Sequence, residues 1–100
     1  MDGRPGEAQS WLDRHQRAWD LDMLAAAICP FGLLARCSGR SSRLHVSDPV
    51  DSRNSGLVVV GRDRDGAWWY CWAHGERIAQ VGEIEEAARK VARVVPGITG

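Results

Sequence analysis

The sequence predicts one α+β domain, an antiparallel sheet of four or five strands with a helix before it and a helix after it, both on one sheet face. Three observations predict this. Ile84, Ala87, Ala88, Val91, Val94 and Val95 form an apolar stripe at helical spacing. Leu12, Trp19, Met23 and Ala26 form a second, N-terminal stripe. Between them, short runs of Val, Leu and Trp alternate with Gly, Pro, Asp and Ser turn signals, as hairpin-linked strands do. Two striped helices and one sheet bury their apolar surfaces most simply with both helices on one side.

The elements follow in order. Residues 1–9 are polar and read as a disordered leader. Ser10-x-x-Asp13 resembles a capping box and opens a helix running to Ile28, although Asp20 or Asp22 could equally cap a shorter one. Pro30 and Gly32 end it. Leu33 to Cys37 and Arg43 to Ser47 read as the first two strands, the latter alternating Leu44 and Val46 against Arg43 and His45. A polar surface loop follows Asp48-Pro49. Leu57 to Arg62 is the most apolar strand and is expected at the centre. The turn Asp63-Arg64-Asp65-Gly66 folds it back antiparallel onto Ala67 to Ala73, and His74-Gly75-Glu76 turns into a short strand over Arg77 to Gln80. In the last helix, Glu83, Glu85 and Glu86 near the start and Arg89, Lys90 and Arg93 near the end match the helix dipole. Pro96-Gly97 stops it, leaving residues 97–100 as a flexible tail and 10–96 as the domain.

Composition narrows the function classes. The thirteen basic and thirteen acidic side chains cancel, which argues against a dedicated nucleic-acid binder. Locally the balance shifts, with six arginines (36, 40, 43, 53, 62, 64) against three aspartates (48, 51, 63) between residues 36 and 64. Cys29, Cys37 and Cys71 form no CxxC pair and leave one thiol over in any disulfide scheme, which fits a reducing cytoplasm. The longest apolar run, Ala25 to Ala35, is too short to span a bilayer and is broken by Pro30 and Gly32.

The stretch from Gly66 to Ile78 holds three of the five tryptophans and the single tyrosine. Alternation puts Trp68, Tyr70 and Trp72 on one sheet face and Ala67, Trp69, Cys71 and Ala73 on the other. The smaller set suits a core shared with two helices, which would leave Trp68, Tyr70 and Trp72 as a ladder on the open face, beside Leu57 and Val59. A patch that large on a small monomer signals a partner. The alternative is that the N-terminal segment covers the ladder, with Trp11 or Trp19 folded over it. In the first case Trp68, Tyr70 and Trp72 anchor an unidentified protein partner or a second copy of the chain, on the sheet face or in the groove between sheet and helix. Arg62, Arg64 and Arg77 then make rim contacts.

Leu44-x-Val46-x-x-Pro49, the run Leu57 to Val60, and Gly66-x-Trp68-Trp69-Tyr70-x-Trp72-x-x-Gly75-Glu76-x-Ile78 are followed by an Ala-rich helix ending Val-Ala-Arg-Val. Together, over about residues 22–96, they resemble a group of small actinobacterial proteins with a Gly-x-Trp-Trp-aromatic…Gly-Glu-x-Ile core and no established function. Cys71 and His74 depart from the aromatic residues more usual there. The resemblance implies a soluble bacterial accessory protein and supplies no catalytic residue or ligand.

Other chemistries have weaker support. Cys71-x-x-His74 has a spacing zinc can use, with Cys29 or Cys37 as further ligands, but a second close pair is missing. Buried cysteines acting as small apolar residues are commoner, so no metal or cofactor is expected. His15, His45 and His74 fall on a helix, a strand and a turn, with no nucleophile or carboxylate at a motif spacing. The chain therefore reads as non-enzymatic. The runner-up function is a small-molecule or single-stranded nucleic-acid binder that stacks its ligand on the same aromatics.

Overall fold

The alternation at Arg43–Ser47 sets the geometry of the whole chain, because its register with the neighbouring strands decides which side chains face the helices. The computed structural model describes residues 5–38 and 43–97, and side chains over 15–38 and 43–96. Helix α1 spans Pro5–Ile28 and a 3-10 turn covers Cys29–Phe31. Strands β1 (Leu34–Ser38), β2 (Arg43–Ser47), β3 (Ser55–Arg62), β4 (Trp68–Trp72) and β5 (Arg77–Gln80) follow, then helix α2 (Ile84–Val94) and a last 3-10 turn over Val95–Gly97. The strands form one antiparallel sheet in sequence order, with β3 at its centre as its apolar run implies.

Leu44 pairs with Val58 and Val58 with Trp72, while Val60 pairs with Tyr70 and Tyr70 with Ala79. These residues therefore share one face. On it they pack with Leu21, Leu24 and Ile28 of α1 and with Ala87, Ala88, Val91 and Val95 of α2 in one core. The other face carries Leu34, Arg36, His45, Leu57, Val59, Trp69 and Cys71, alternate to the core set. An irregularity in the β4–β5 pairing at Tyr70 and Cys71 lets Ile78 and Ala79 both be buried.

Three expectations are corrected. The ladder is not open: Tyr70 is 0% exposed and Trp72 7%, so the helices lie over this face rather than over Trp69 and Cys71. The cause is register, since the inward Leu44 and Val46 of β2 carry the same sense across to Trp72 and Tyr70. The covering segment is the N-terminal one, but it covers with Leu21, Leu24 and Ile28, while Trp19 and Met23 stay exposed. Trp19, Met23 and Ala26 of the N-terminal stripe thus lie on a second, outward face of α1. Finally, residues 5–9, expected in a disordered leader, belong to α1, which Pro5 suits as a first helical residue. Residues 1–4 and 98–100, and the side chains of Trp11 and Leu12, lie outside the described residues.

Candidate functional site

The six residues singled out in the sequence are not brought together. Tyr70 is a core residue whose hydroxyl donates a 2.7 Å hydrogen bond to the Asp20 carbonyl of α1. Burial, with the Asp20 carboxylate nearby, pushes its phenol up to about 12. Trp68 is half-buried beneath the Arg17 guanidinium, 3.7 Å from the ring centroid, with Arg62 at 5.1 Å. Arg17 Nε stands 3.1 Å from Asp20 Oδ2 as an ion pair without a directed hydrogen bond. The Gln16 side-chain amide donates to the other Asp20 oxygen at 3.2 Å. Arg77 lies on the opposite sheet face, 4.9 Å over the Trp69 ring. Arg64 is exposed in the turn between β3 and β4.

That turn is organised by Asp63. Its carboxylate accepts the backbone N–H groups of Asp65 at 2.9 Å and Ala67 at 3.0 Å, and the indole N–H of Trp69 at 2.8 Å. The Trp69 bond is the main reason its carboxyl is held below the usual carboxylate range, against the opposing effect of desolvation. Gly66, at φ 87°, supplies the left-handed residue the turn needs. The indole polar atom of Trp69 is therefore committed to the fold.

Cys71 lies on the open face, and its thiol is pushed up in pKa by burial, against the lowering charge of Arg77. His74 sits in the turn after β4, with Nε2 3.5 Å from Glu76 Oε2. Among the described residues, no group of three or more His, Cys, Asp or Glu side chains is placed to hold a metal ion.

One of the six residues, Trp72, does meet a concave surface. A groove of about 700 Å³ opens where the end of β4, the start of β3 and the end of α2 converge. Trp72, Gly56, Leu57 and Val94 supply its apolar lining, and His45, Ser55, His74 and Glu76 its polar edge. Three local features build it. Gly56 has no side chain, so the Trp72 ring lies directly against β3; a Cβ there would stand 2.7 Å from Trp72 Cζ3. The β4–β5 turn closes through Gly75 N–H to the Trp72 carbonyl and Trp72 N–H to the Glu76 carbonyl, both 2.8 Å, with Gly75 at φ 109°. Buried Asn54 donates its side-chain amide to the Pro96 carbonyl at 3.2 Å, tying the β2–β3 loop to the end of α2 beside Val94.

Sequence reading missed Gly56 and Asn54. Both occur in the polar stretch after Asp48-Pro49, where nothing in the local pattern separates an anchoring Asn from a solvated one. The signal for Gly56 was positional: it precedes the apolar run by one residue and falls opposite Val46.

No helix among the described residues is long and apolar enough to cross a membrane. Comparison with protein-family models, with curated proteins and with solved structures finds no match.

Proposed function

We propose that this chain is a non-enzymatic protein-interaction module, of a regulatory or accessory kind, that seats an apolar side chain of a protein partner in the groove at Trp72. The observation that carries this reading is the lining of the groove: apolar Trp72, Leu57, Ala73 and Val94 beside the exposed polar side chains of His45, His74 and Glu76. Protein interfaces have this anatomy, a dry apolar centre within a polar rim. Small-ligand sites instead aim a few buried polar groups into the cavity to fix orientation. The buried polar residues among those described, Asp20 and Asn54, line no part of the groove. In this reading Trp72 is the anchor of the site, and His45, His74 and Glu76 take the rim role first assigned to Arg62, Arg64 and Arg77. The free thiols Cys29, Cys37 and Cys71 are consistent with action in a reducing cytoplasm.

The volume favours one second reading, a small apolar ligand, since about 700 Å³ falls within the range of ligand cavities. Single-stranded nucleic acid fits less well. Tyr70 and Trp72 are buried, leaving Trp69 as the sheet aromatic on the open face.

A random-peptide display on the immobilised chain tests the proposal, with a folded Leu57→Asp variant as counter-target. Peptides sharing an apolar or aromatic anchor should be retained by the wild type and lost from the variant. Equal retention by both chains would sink the groove as the docking site.

A further inference from the structure

None of the five strands holds an aspartate or glutamate, although the chain has thirteen, while Arg36, Arg43, Arg62 and Arg77 all lie in strands. Register puts Arg36, Arg43 and Arg77 on the open sheet face, with His45 and Leu57, and Arg62 on the helix-covered face beside Trp68. The open face is therefore basic in a chain of zero formal net charge. Acids in the bordering turns are held locally: Asp48 by the Val50 N–H, Asp51 by Arg53, Asp63 by Trp69, and Glu76 beside His74. Arg77 is spread over the Trp69 ring. Arg36 and Arg43 are exposed, and their guanidiniums have no ion-pair partner among the described residues. A hollow of about 280 Å³ beside Arg36, lined also by Leu34, Ala35 and Ser47, shares His45 with the groove at Trp72. The groove thus continues across β2 toward two uncommitted positive charges.

We propose that the segment docking here is an acidic peptide, its apolar anchor seated at Trp72 and its carboxylates laid across His45 onto Arg36 and Arg43. The inference rests on the groove being a protein-docking site and adds the chemistry of the partner. Spacing supports it. His45 pairs with both Leu57 and Arg36, so Arg36 stands two strands from the groove wall, about 10 Å, and Arg43 lies diagonal to Leu57 at about 7–8 Å. Two extended residues cover about 7 Å, so the two residues next to an anchor on Leu57 bring carboxylates within reach of both guanidiniums. Arginine forks match carboxylates in paired hydrogen bonds. The Glu76 carboxylate borders the other edge of the groove, so acids belong on one side of the anchor only. Nucleic acid would need ring faces for its bases as well as phosphate contacts. The open-face aromatic, Trp69, is capped by Arg77, and Trp72 is buried.

Nuclear magnetic resonance titration of the labelled chain at low salt tests the proposal, using N-acetyl-Glu-Glu-Trp amide, the reversed N-acetyl-Trp-Glu-Glu amide, and the Gln and Lys counterparts of each. One Glu order should bind about five-fold more tightly than its Gln counterpart, as two exposed ion pairs allow, with shifts at Arg36 and Arg43 added to those around Leu57. The Lys peptide should bind more weakly than the Gln one, and the differences should shrink as salt is raised. Arg36→Glu with Arg43→Glu should reverse the order, Lys then binding best, while the Gln peptide keeps its affinity. Both side chains are exposed, so this variant should keep the wild-type melting temperature. Glu and Gln peptides that bind the groove equally overturn the proposal and leave the groove standing, as does a Glu preference that survives the charge reversal. No binding at the groove by the Gln peptides sinks the docking site itself, and this proposal with it. A single-stranded oligothymidylate that binds at Arg36 and Arg43 more tightly than the Glu peptide would give the face to nucleic acid and overturn the proposal.

Discussion

Gly56 and Gly61 lie five residues apart in β3 on opposite faces of the sheet, and replacing each with Ala should move stability in opposite directions. At Gly56 a Cβ would stand 2.7 Å from Trp72 Cζ3 and 3.2 Å from Cε3. The indole has little room to retreat, because Trp72 is packed into the core beside Val58. Overpacking of this kind costs about 1–3 kcal/mol. Neither glycine has a left-handed backbone, so Ala also stabilises by about 0.4–1 kcal/mol through the unfolded chain. The net for Gly56→Ala runs from near zero to a loss of about 2.5 kcal/mol, centred on about 1.3 kcal/mol, which is a fall in melting temperature of roughly 5–10 °C for a domain of this size. At Gly61 the nearest atom to the new Cβ is Cys71 Sγ at 4.0 Å, an ordinary contact. Gly61→Ala should therefore keep the full gain and raise the midpoint by about 2–8 °C. Thermal unfolding followed by far-ultraviolet circular dichroism measures both, and Trp72→Phe should soften the Gly56→Ala penalty in a double-mutant cycle. A Gly56→Ala variant as stabilised as Gly61→Ala would refute the seating of Trp72 on β3, and with it the wall that Trp72 gives the groove.

Three further perturbations reach other parts of the fold. Arg17→Met alone should cost about 3 kcal/mol by leaving Asp20 buried and unpaired, whereas Arg17→Met with Asp20→Leu should return to within about 1 kcal/mol of wild type in urea denaturation. The reason is that Arg17 Nε and Nη1 already lack hydrogen-bond acceptors. Asp63 has a depressed folded pKa, so the unfolded chain takes up its proton first; its contribution is complete above the ordinary carboxylate value and is lost as pH falls through the folded value. Melting temperatures of wild type and Asp63→Asn should therefore differ most above the ordinary carboxylate value and converge as pH falls below it. Cys37 has its thiol pushed up to about 11 by burial, by its 3.3 Å hydrogen bond to Asp22 and by the charge of that carboxylate. At about pH 8 only on the order of a thousandth of it is thiolate, so mass spectrometry should show slow iodoacetamide labelling that Asp22→Asn accelerates.

Element types and their order were legible because turn chemistry and helical stripes are local. Gly66 and Gly75 supply the turns their positions require, and the stripe from Ile84 to Val95 supplies the buried face of α2. Which face of β4 is buried is a non-local property, yet the information was present. Leu44 and Val46 alternate against Arg43 and His45, and the Asp63–Gly66 turn sets Arg62 opposite Trp68, hence Val58 opposite Trp72. Weighing side-chain size instead of carrying the register across β3 inverts the answer. For α1, the stripe at Trp19 and Met23 is real but outward, because a helix with two apolar faces gives no local sign of which one the sheet takes. The groove needs the ends of three elements to meet, and Asn54, whose amide holds the loop to Pro96, is separated from it by 42 residues. No local pattern encodes that contact.

Whether the groove at Trp72 receives an apolar side chain is read most directly by a nuclear magnetic resonance titration of the labelled chain with N-acetyl-tryptophanamide, a single blocked aromatic residue. A groove that seats the probe gives saturable shifts confined to His45, Ser55, Leu57, Trp72, Ala73 and Val94, abolished by Leu57→Asp. Shifts centred on Trp69 and Arg77, or none at millimolar probe, would contradict it.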